Sequence, residues 1–309
     1  MDQTALQNEK IVGVEVTSAA MNAVSIDEQG NLLDHFSATL NNDEEIAPQL
    51  VKFINSLQTR LGDFDRVGIS VPGLVDRETK RVTFSSQIPE HENIDFLGEL
   101  EKVTKLKIYV ENDANAAAYG EHLFGAGRGS ENLFYVTLGK GIGGAFIFDG
   151  KLWRGASGFA GEFGYIAVNS DGIRLEEVAS SANIIRRTKM RFHQDHTSSL
   201  NEIGEESITI ADVIREANNG DDFARLMLER TGTYVGMAIA DVINLLNIEK
   251  IVVGGEIMQA GALVLEGIKA RAREFSFSPN FRSTEIVQGK LGNQAAAIGA
   301  AMLAKTNFI

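Results

Sequence analysis

The sequence predicts an α/β protein of two lobes with a cleft between them. Three observations predict it. The chain has 309 residues, long for one domain and suited to two lobes of roughly 150 residues each. Apolar strand-like runs alternate with segments of helical spacing along its whole length. The second half also opens as the first does: the strand, turn and strand of Ile11 to Gly30 recur in NLFYVTLGKGIGGAFIFDGKLW from Asn132, and such a repeat points to two lobes of related topology.

Taken in order, Lys10 to Asp27 alternates in β fashion, turns at Gln29-Gly30 and continues as NLLDHFSATL, reading as two or three antiparallel strands. In EEIAPQLVKFINSLQTRL, the residues Ile46, Leu50, Val51, Ile54 and Leu57 share a helical face. RVGISVPG is a buried strand closed by Pro72-Gly73, and LKIYVEND is another that runs into the helix-like ANAAAYGEHLFG. From Ala211 to Asn247 the spacing is helical through Leu226, Leu228, Val235, Ile239, Val242, Ile243 and Leu246. IEKIVVGGEI is a strand ending in paired glycines, and NQAAAIGAAMLAK closes the chain as a helix of small residues. The polar stretch from Arg191 to Ser207 reads as a surface excursion. The expected division is a small lobe of residues 1–115 plus 296–309 and a large lobe of 116–295.

With 44% hydrophobic and 23% charged residues, each lobe can bury a core. A net charge of −13 argues against nucleic acid or an anionic membrane surface as partner. The absence of cysteine excludes disulfides, thiolate zinc sites and cysteine nucleophiles. MDQTALQNEK lacks a signal-peptide core, and the apolar run from Ala295 to Ala304 is too short to span a bilayer. The expectation is a cytoplasmic protein.

Several segments suit chemistry, each beside a plainer reading. In LGKGIGGAFIFDG, Gly139, Gly141 and Gly143 can present backbone N–H groups to phosphate oxygens, or simply form a tight hairpin. Gly254-Gly255 ends a strand before a helix, a place for an anion or mere punctuation. Asn112-Asp113 lies where a buried strand meets a helix; Asp113 can act there as general base, or the pair can cap the helix. Glu162 sits among small residues in GASGFAGEFGY, as a ligand group or a surface carboxylate. His193 and His196, in HQDH, have a metal-binding spacing that polar loops also supply by chance. His35 and His122 read as partly buried residues without a chemical role.

Together and in order, GISVPGLVD (Gly68–Asp76), VENDANAAAYGE (Val110–Glu121), LGKGIGGAFIFDG, WRGASGFAGEFGY (Trp153–Tyr165), ADVINLLNIEKIVVGGEI (Ala240–Ile257) and LGNQAAAIGAAMLA (Leu291–Ala304) resemble the ROK family of bacterial sugar kinases and sugar-responsive repressors, across almost the whole chain. The resemblance implies two actin/hexokinase-like, ribonuclease H-like lobes. It implies a glycine hairpin at 138–145 that clamps ATP phosphates, with Gly254 and Gly255 flanking the adenosine. By the same resemblance Asp113 is expected to take the proton of the attacking sugar hydroxyl, and Gly73, Asn112, Asp113, Glu162, Tyr165 and Glu176 to bind sugar hydroxyls.

Three departures stand beside it. The first phosphate hairpin carries Glu15 for the family's aspartate and Thr17, Ser18 and Ala19 for its two glycines and threonine; Glu15 and Thr17 remain candidates to face nucleotide. Lys140 replaces a threonine in the second hairpin, to reach a phosphate or to occupy the phosphate site and pair with Glu15. Tyr165 stands at the family's histidine, and with no cysteines no structural zinc is expected. QIPEH (Gln87–His91) differs from the family's sugar-proximal segment, so the sugar is not identified. The expected function is an ATP-dependent kinase of a hexose or amino-hexose, with Mg²⁺ held by phosphates and by Glu15 through water. The alternative is a sugar sensor with impaired catalysis. DNA binding is not expected, since the first core strand begins near Lys10, and the family relation implies a homodimer.

Overall fold

The computed structural model describes residues 10–76, 81–84 and 96–307. By packing, the chain divides into one unit of residues 1–128, 154–159 and 294–309 and another of 129–153 and 160–293.

The first unit is built on a five-stranded sheet. Strands β1 (Ile11–Val16), β2 (Ala20–Ile26) and β3 (Leu32–Thr39) form an antiparallel meander. Helix α1 (Ile46–Leu61) then leads to β4 (Arg66–Val71), parallel to β1. A ribbon of β5 (Leu74–Asp76) and β6 (Arg81–Phe84) and helix α2 (Phe96–Thr104) precede β7 (Lys107–Asn112), which runs unbroken into α3 (Asp113–Phe124). The sheet order is β3-β2-β1-β4-β7. On one face Val12, Val14 and Ile69 pack with Leu50, Ile54 and Leu57 of α1. The other face is opened by Gly13 and Gly68, partners in register. A Cβ on either would strike the carbonyl oxygen of Ala297 or Ala300, so the C-terminal helix (Ala295–Asn307), buried throughout Ala295–Ala304, lies directly on the sheet backbone.

The second unit repeats the plan. Strands β8 (Leu133–Leu138), β9 (Ile142–Phe148) and β10 (Lys151–Trp153) form the meander. Helices α4 (Leu175–Ala179), α5 (Ser181–Arg191), α6 (Ile210–Asn219) and α7 (Asp222–Leu246) lead to β11 (Lys250–Gly254), and α8 (Ala262–Phe275) and α9 (Ser278–Ser283) to β12 (Glu285–Gln288). The order β10-β9-β8-β11-β12, with β11 and β12 parallel to β8, matches the first sheet strand for strand. The recurrence read in the sequence is therefore a repeated topology. Among the described residues no helix is long and apolar enough to cross a membrane.

Some expectations need correction. The helical stretch from Ala211 to Asn247 is two helices: Gly220, at φ 103°, closes α6, and Asp221 caps α7 through the Ala224 N–H. Leu226 is 50% and Leu246 44% exposed, so neither joins the core; the wide apolar stripe of α7 overstated its buried face. The segment from Arg191 to Ser207 is more than a surface excursion, because its short 3₁₀ turns bury Phe192 and Leu200. His35 is exposed on edge strand β3. The expected lobe boundaries at 115/116 and 295/296 fall inside α3 and at the first turn of the C-terminal helix. These two helices pack along each other in the first unit, where Gly120 and Gly299 allow close approach.

Candidate active site

In the first unit, strand register places Ser37, Asn22, Glu15, Ser70 and Glu111 opposite one another across all five strands. Residues paired in register share a face, here the face of Gly13 and Gly68, which lie two residues earlier on β1 and β4. Ser37 Oγ donates to Asn22 Oδ1 at 2.9 Å, and the Asn22 side chain bonds Glu15. Burial first, then the nearby Asp113 carboxylate, push the Glu15 carboxyl up to about 7, against the lowering effect of Asn22.

At the end of the row Glu111 is 5% exposed in its side chain and pairs with Arg154, whose Nη2 lies 2.6 Å from Oε2. Its Oε1 accepts from the Asn115 side chain and the Asn112 N–H, both at 3.1 Å. This buried ion pair therefore fixes the strand-to-helix junction. Asn112 is the N-cap of α3, its Oδ1 accepting from the Asn115 N–H at 3.0 Å. Its Nδ2 donates to the Gly73 carbonyl and to Asp113 Oδ1, each at 3.0 Å. Asp113 Oδ1 also accepts from the Ala114 N–H at 2.9 Å. Asn112 takes the capping role and Asp113, half-buried in the first helical turn, is held in one orientation beside Glu15. Thr17, by contrast, is absorbed by its own hairpin: Oγ1 donates to the Ala20 carbonyl and accepts from the Ala20 N–H, both at 3.0 Å.

In the second unit the hairpin between β8 and β9 is closed by a bond from Gly139 N–H to Gly141 O at 3.0 Å and tied to α5 by Ser181 N–H on Gly139 O at 2.8 Å. Lys140 is exposed at its tip. Gly143, Thr137 and Gly254 lie in register beside it, so the ledge next to the hairpin carries one short side chain. Gly255 has φ 92° and its missing Cβ would meet the Leu138 backbone, so this glycine is required by packing before any ligand is considered. Glu256 follows, and its Oε1 accepts from Ser181 Oγ at 2.7 Å. Burial, then the Glu176 carboxylate, raise the Glu162 carboxyl above its usual range. The two acids thus belong to one cluster, with Gly164 against Glu176. Tyr165 is 46% exposed, and the Arg174 guanidinium lies over its ring at 4.1 Å.

Each unit thus gathers its own share of the expected residues: Glu15, Gly73, Asn112 and Asp113 in the first; Glu162, Tyr165 and Glu176, and the glycines with Lys140, in the second. His193 pairs with Glu205 at 3.2 Å, and no group of three or more His, Asp or Glu among the described residues could hold a metal. Gln87–His91 lies outside the described residues. The sequence reading missed Glu111, Arg154, Ser181 and Glu256. An acid closing the buried run KIYVE was a usable signal for Glu111; nothing local marked the others.

The sequence profile of the ROK family matches residues 11–307. A glucokinase of Halalkalibacterium halodurans is 31% identical over 95% of this chain and 94% of its own length. The xylose repressor of Bacillus subtilis is 26% identical over 96% of this chain and 77% of its own. The crystal structure of a ROK glucokinase from Streptomyces griseus with glucose and AMPPNP superposes with a TM-score of 0.86 at 30% identity, covering 96% of this chain and 99% of that one. With the repeated sheets, the capped Asn112-Asp113 junction and the glycine hairpin already in place, these likenesses settle the lineage: the chain belongs to the ROK family.

Proposed function

We propose that the protein is an ATP-dependent sugar kinase that phosphorylates a hexose or amino-hexose. One observation carries the reading: Asp113 stands at the first turn of α3 with Oδ1 held by two N–H donors, an arrangement that orients a carboxylate for proton transfer. Asp113 takes the proton of the sugar hydroxyl as that oxygen bonds to the γ-phosphorus and the bond to the departing ADP breaks. Asn112 and Gly73 support the base, while Glu162 and Glu176 accept from sugar hydroxyls. The ledge of Gly143, Thr137 and Gly254 beside the hairpin fits phosphate oxygens, and Lys140 offers a cation there. Mg²⁺ would be held through the nucleotide phosphates and would neutralise their charge.

A second reading, sugar binding without phosphoryl transfer, is favoured by the first hairpin. Thr17 is occupied by its own turn, and Glu15, protonated in good part near pH 7, is a poor partner for a hydrated metal. The test is ADP release from ATP and Mg²⁺ over a hexose panel, run beside sugar-induced thermal stabilisation. The kinase reading expects release that falls about a hundredfold or more in Asp113→Asn. Stabilisation by a sugar without ADP release would instead establish the sensor.

A further inference from the structure

A cavity of about 810 Å³ in the second unit is lined by Arg186, Arg187, Arg191 and Arg230 and also by Glu176 and Glu177. For a chain of net charge −13, four guanidiniums around one cavity need an explanation. Among the described residues none of the four forms an ion pair with a carboxylate. Arg187, half-buried, donates through Nε to Asn183 Oδ1 at 2.8 Å and through Nη2 to the Met227 carbonyl at 2.9 Å, so its neutral partners hold it without offsetting its charge. Burial, then Arg230, Arg191 and Arg186, lower its proton affinity to a pKa of about 10, the mark of gathered positive charge that an anion would relieve.

The two carboxylates of the same lining add the complementary chemistry. Carboxylates accept from hydroxyl groups, and guanidiniums take phosphate in paired hydrogen bonds. The volume lies within the range of small-molecule sites. We infer that this cavity is a binding site for a phosphorylated sugar, its phosphate on the arginines of α5 and α7 and its hydroxyls toward Glu176 and Glu177. The site does not rest on the kinase reading. Glu162 and Tyr165 do not line it, but Glu176 belongs both to it and to the acid cluster around Glu162, so occupancy would be felt by a sugar bound there.

The test is titration calorimetry, without nucleotide, of glucose 6-phosphate, fructose 6-phosphate and N-acetylglucosamine 6-phosphate, with inorganic phosphate and the unphosphorylated sugars as further probes. At least one sugar phosphate should bind about tenfold or more tightly than inorganic phosphate. The exposed pair Arg186→Ala/Arg191→Ala should weaken it about tenfold or more and leave binding of the unphosphorylated sugar unchanged. Absence of ADP release over the hexose panel would sink the kinase reading and leave the arginine-dependent titration standing, so that failure of the one and failure of the other are read separately. Sugar-phosphate binding that ignores the arginine substitutions, or inorganic phosphate binding as tightly as any sugar phosphate, would overturn the inference. So would a variant that changes only the sedimentation of the protein, which would make this face a contact between copies.

Discussion

The two sheets share strand order, and both turn from first to second strand after six residues, yet their equivalent rows differ sharply. In the first unit the row reads Asn22, Glu15, Ser70, Glu111; in the second it reads Gly143, Thr137, Gly254. One scaffold thus carries two carboxylates on a sheet face and, at the matching place, almost no side chain. Backbone topology decides where a site can be built, and the identity of three or four in-register residues decides what it can hold.

The largest effect expected from breaking this contrast is at Glu111. Arg154→Met would strand its buried carboxylate, since the paired side chains are only 15% and 5% exposed. Loss of one partner of a buried pair costs about 3–5 kcal/mol. Denaturant unfolding should show that loss, and Arg154→Met/Glu111→Gln should recover much of it. If the single variant unfolds like wild type, the row is not an electrostatic unit.

Next comes the neutral row. Gly255→Ala asks for a Cβ against the Leu138 backbone at a φ of 92°, at a cost of about 2–4 kcal/mol from strain and overpacking together. The midpoint of thermal unfolding should fall accordingly. No fall would mean that the glycine is kept for a ligand alone.

These two cases also mark what was legible in the sequence. The repeat of strand, turn and strand, the helix of small residues and the Asn112-Asp113 junction follow from local periodicity and turn chemistry, which a sequence displays directly. Glu111 with Arg154, and Ser181 with Glu256, are separated by 43 and 75 positions; nothing local pairs them. The break at Gly220 was available from Gly-Asp-Asp in the sequence but was masked by the continuous apolar spacing on either side. The exposed Leu226 shows the same limit, since periodicity indicates a face without saying how much of it is covered.

Glu15 gives a smaller, pH-dependent effect. Its carboxyl is raised from 4.5 to about 7, mainly by burial. The folded protein therefore holds this proton more tightly than the unfolded chain does. Stability from this group is complete below about pH 4.5 and is lost as pH rises through about 7. Glu15→Gln should remove that slope, making the variant about 1–3 kcal/mol more stable relative to wild type at pH 8 than at pH 4.5. Equal pH profiles would mean that Glu15 meets solvent freely, and the charged row would then reduce to Glu111 alone.

The smallest effect belongs to Lys140, and it sharpens the comparison where function divides. A lysine that filled an empty phosphate site would be buried there, whereas Lys140 is exposed at the tip of the β8–β9 hairpin. That exposure favours the proposed role of a cation for phosphate over that of a plug. Lys140→Thr should leave unfolding unchanged and weaken nucleotide binding about fivefold, the scale of one solvent-exposed ion pair. Because such a pair is screened, the difference should shrink as salt is raised from 0.05 to about 0.5 M. Tighter binding in the variant would reverse the assignment and make the lysine a plug. Sugar binding without phosphoryl transfer would then become the better account of the protein.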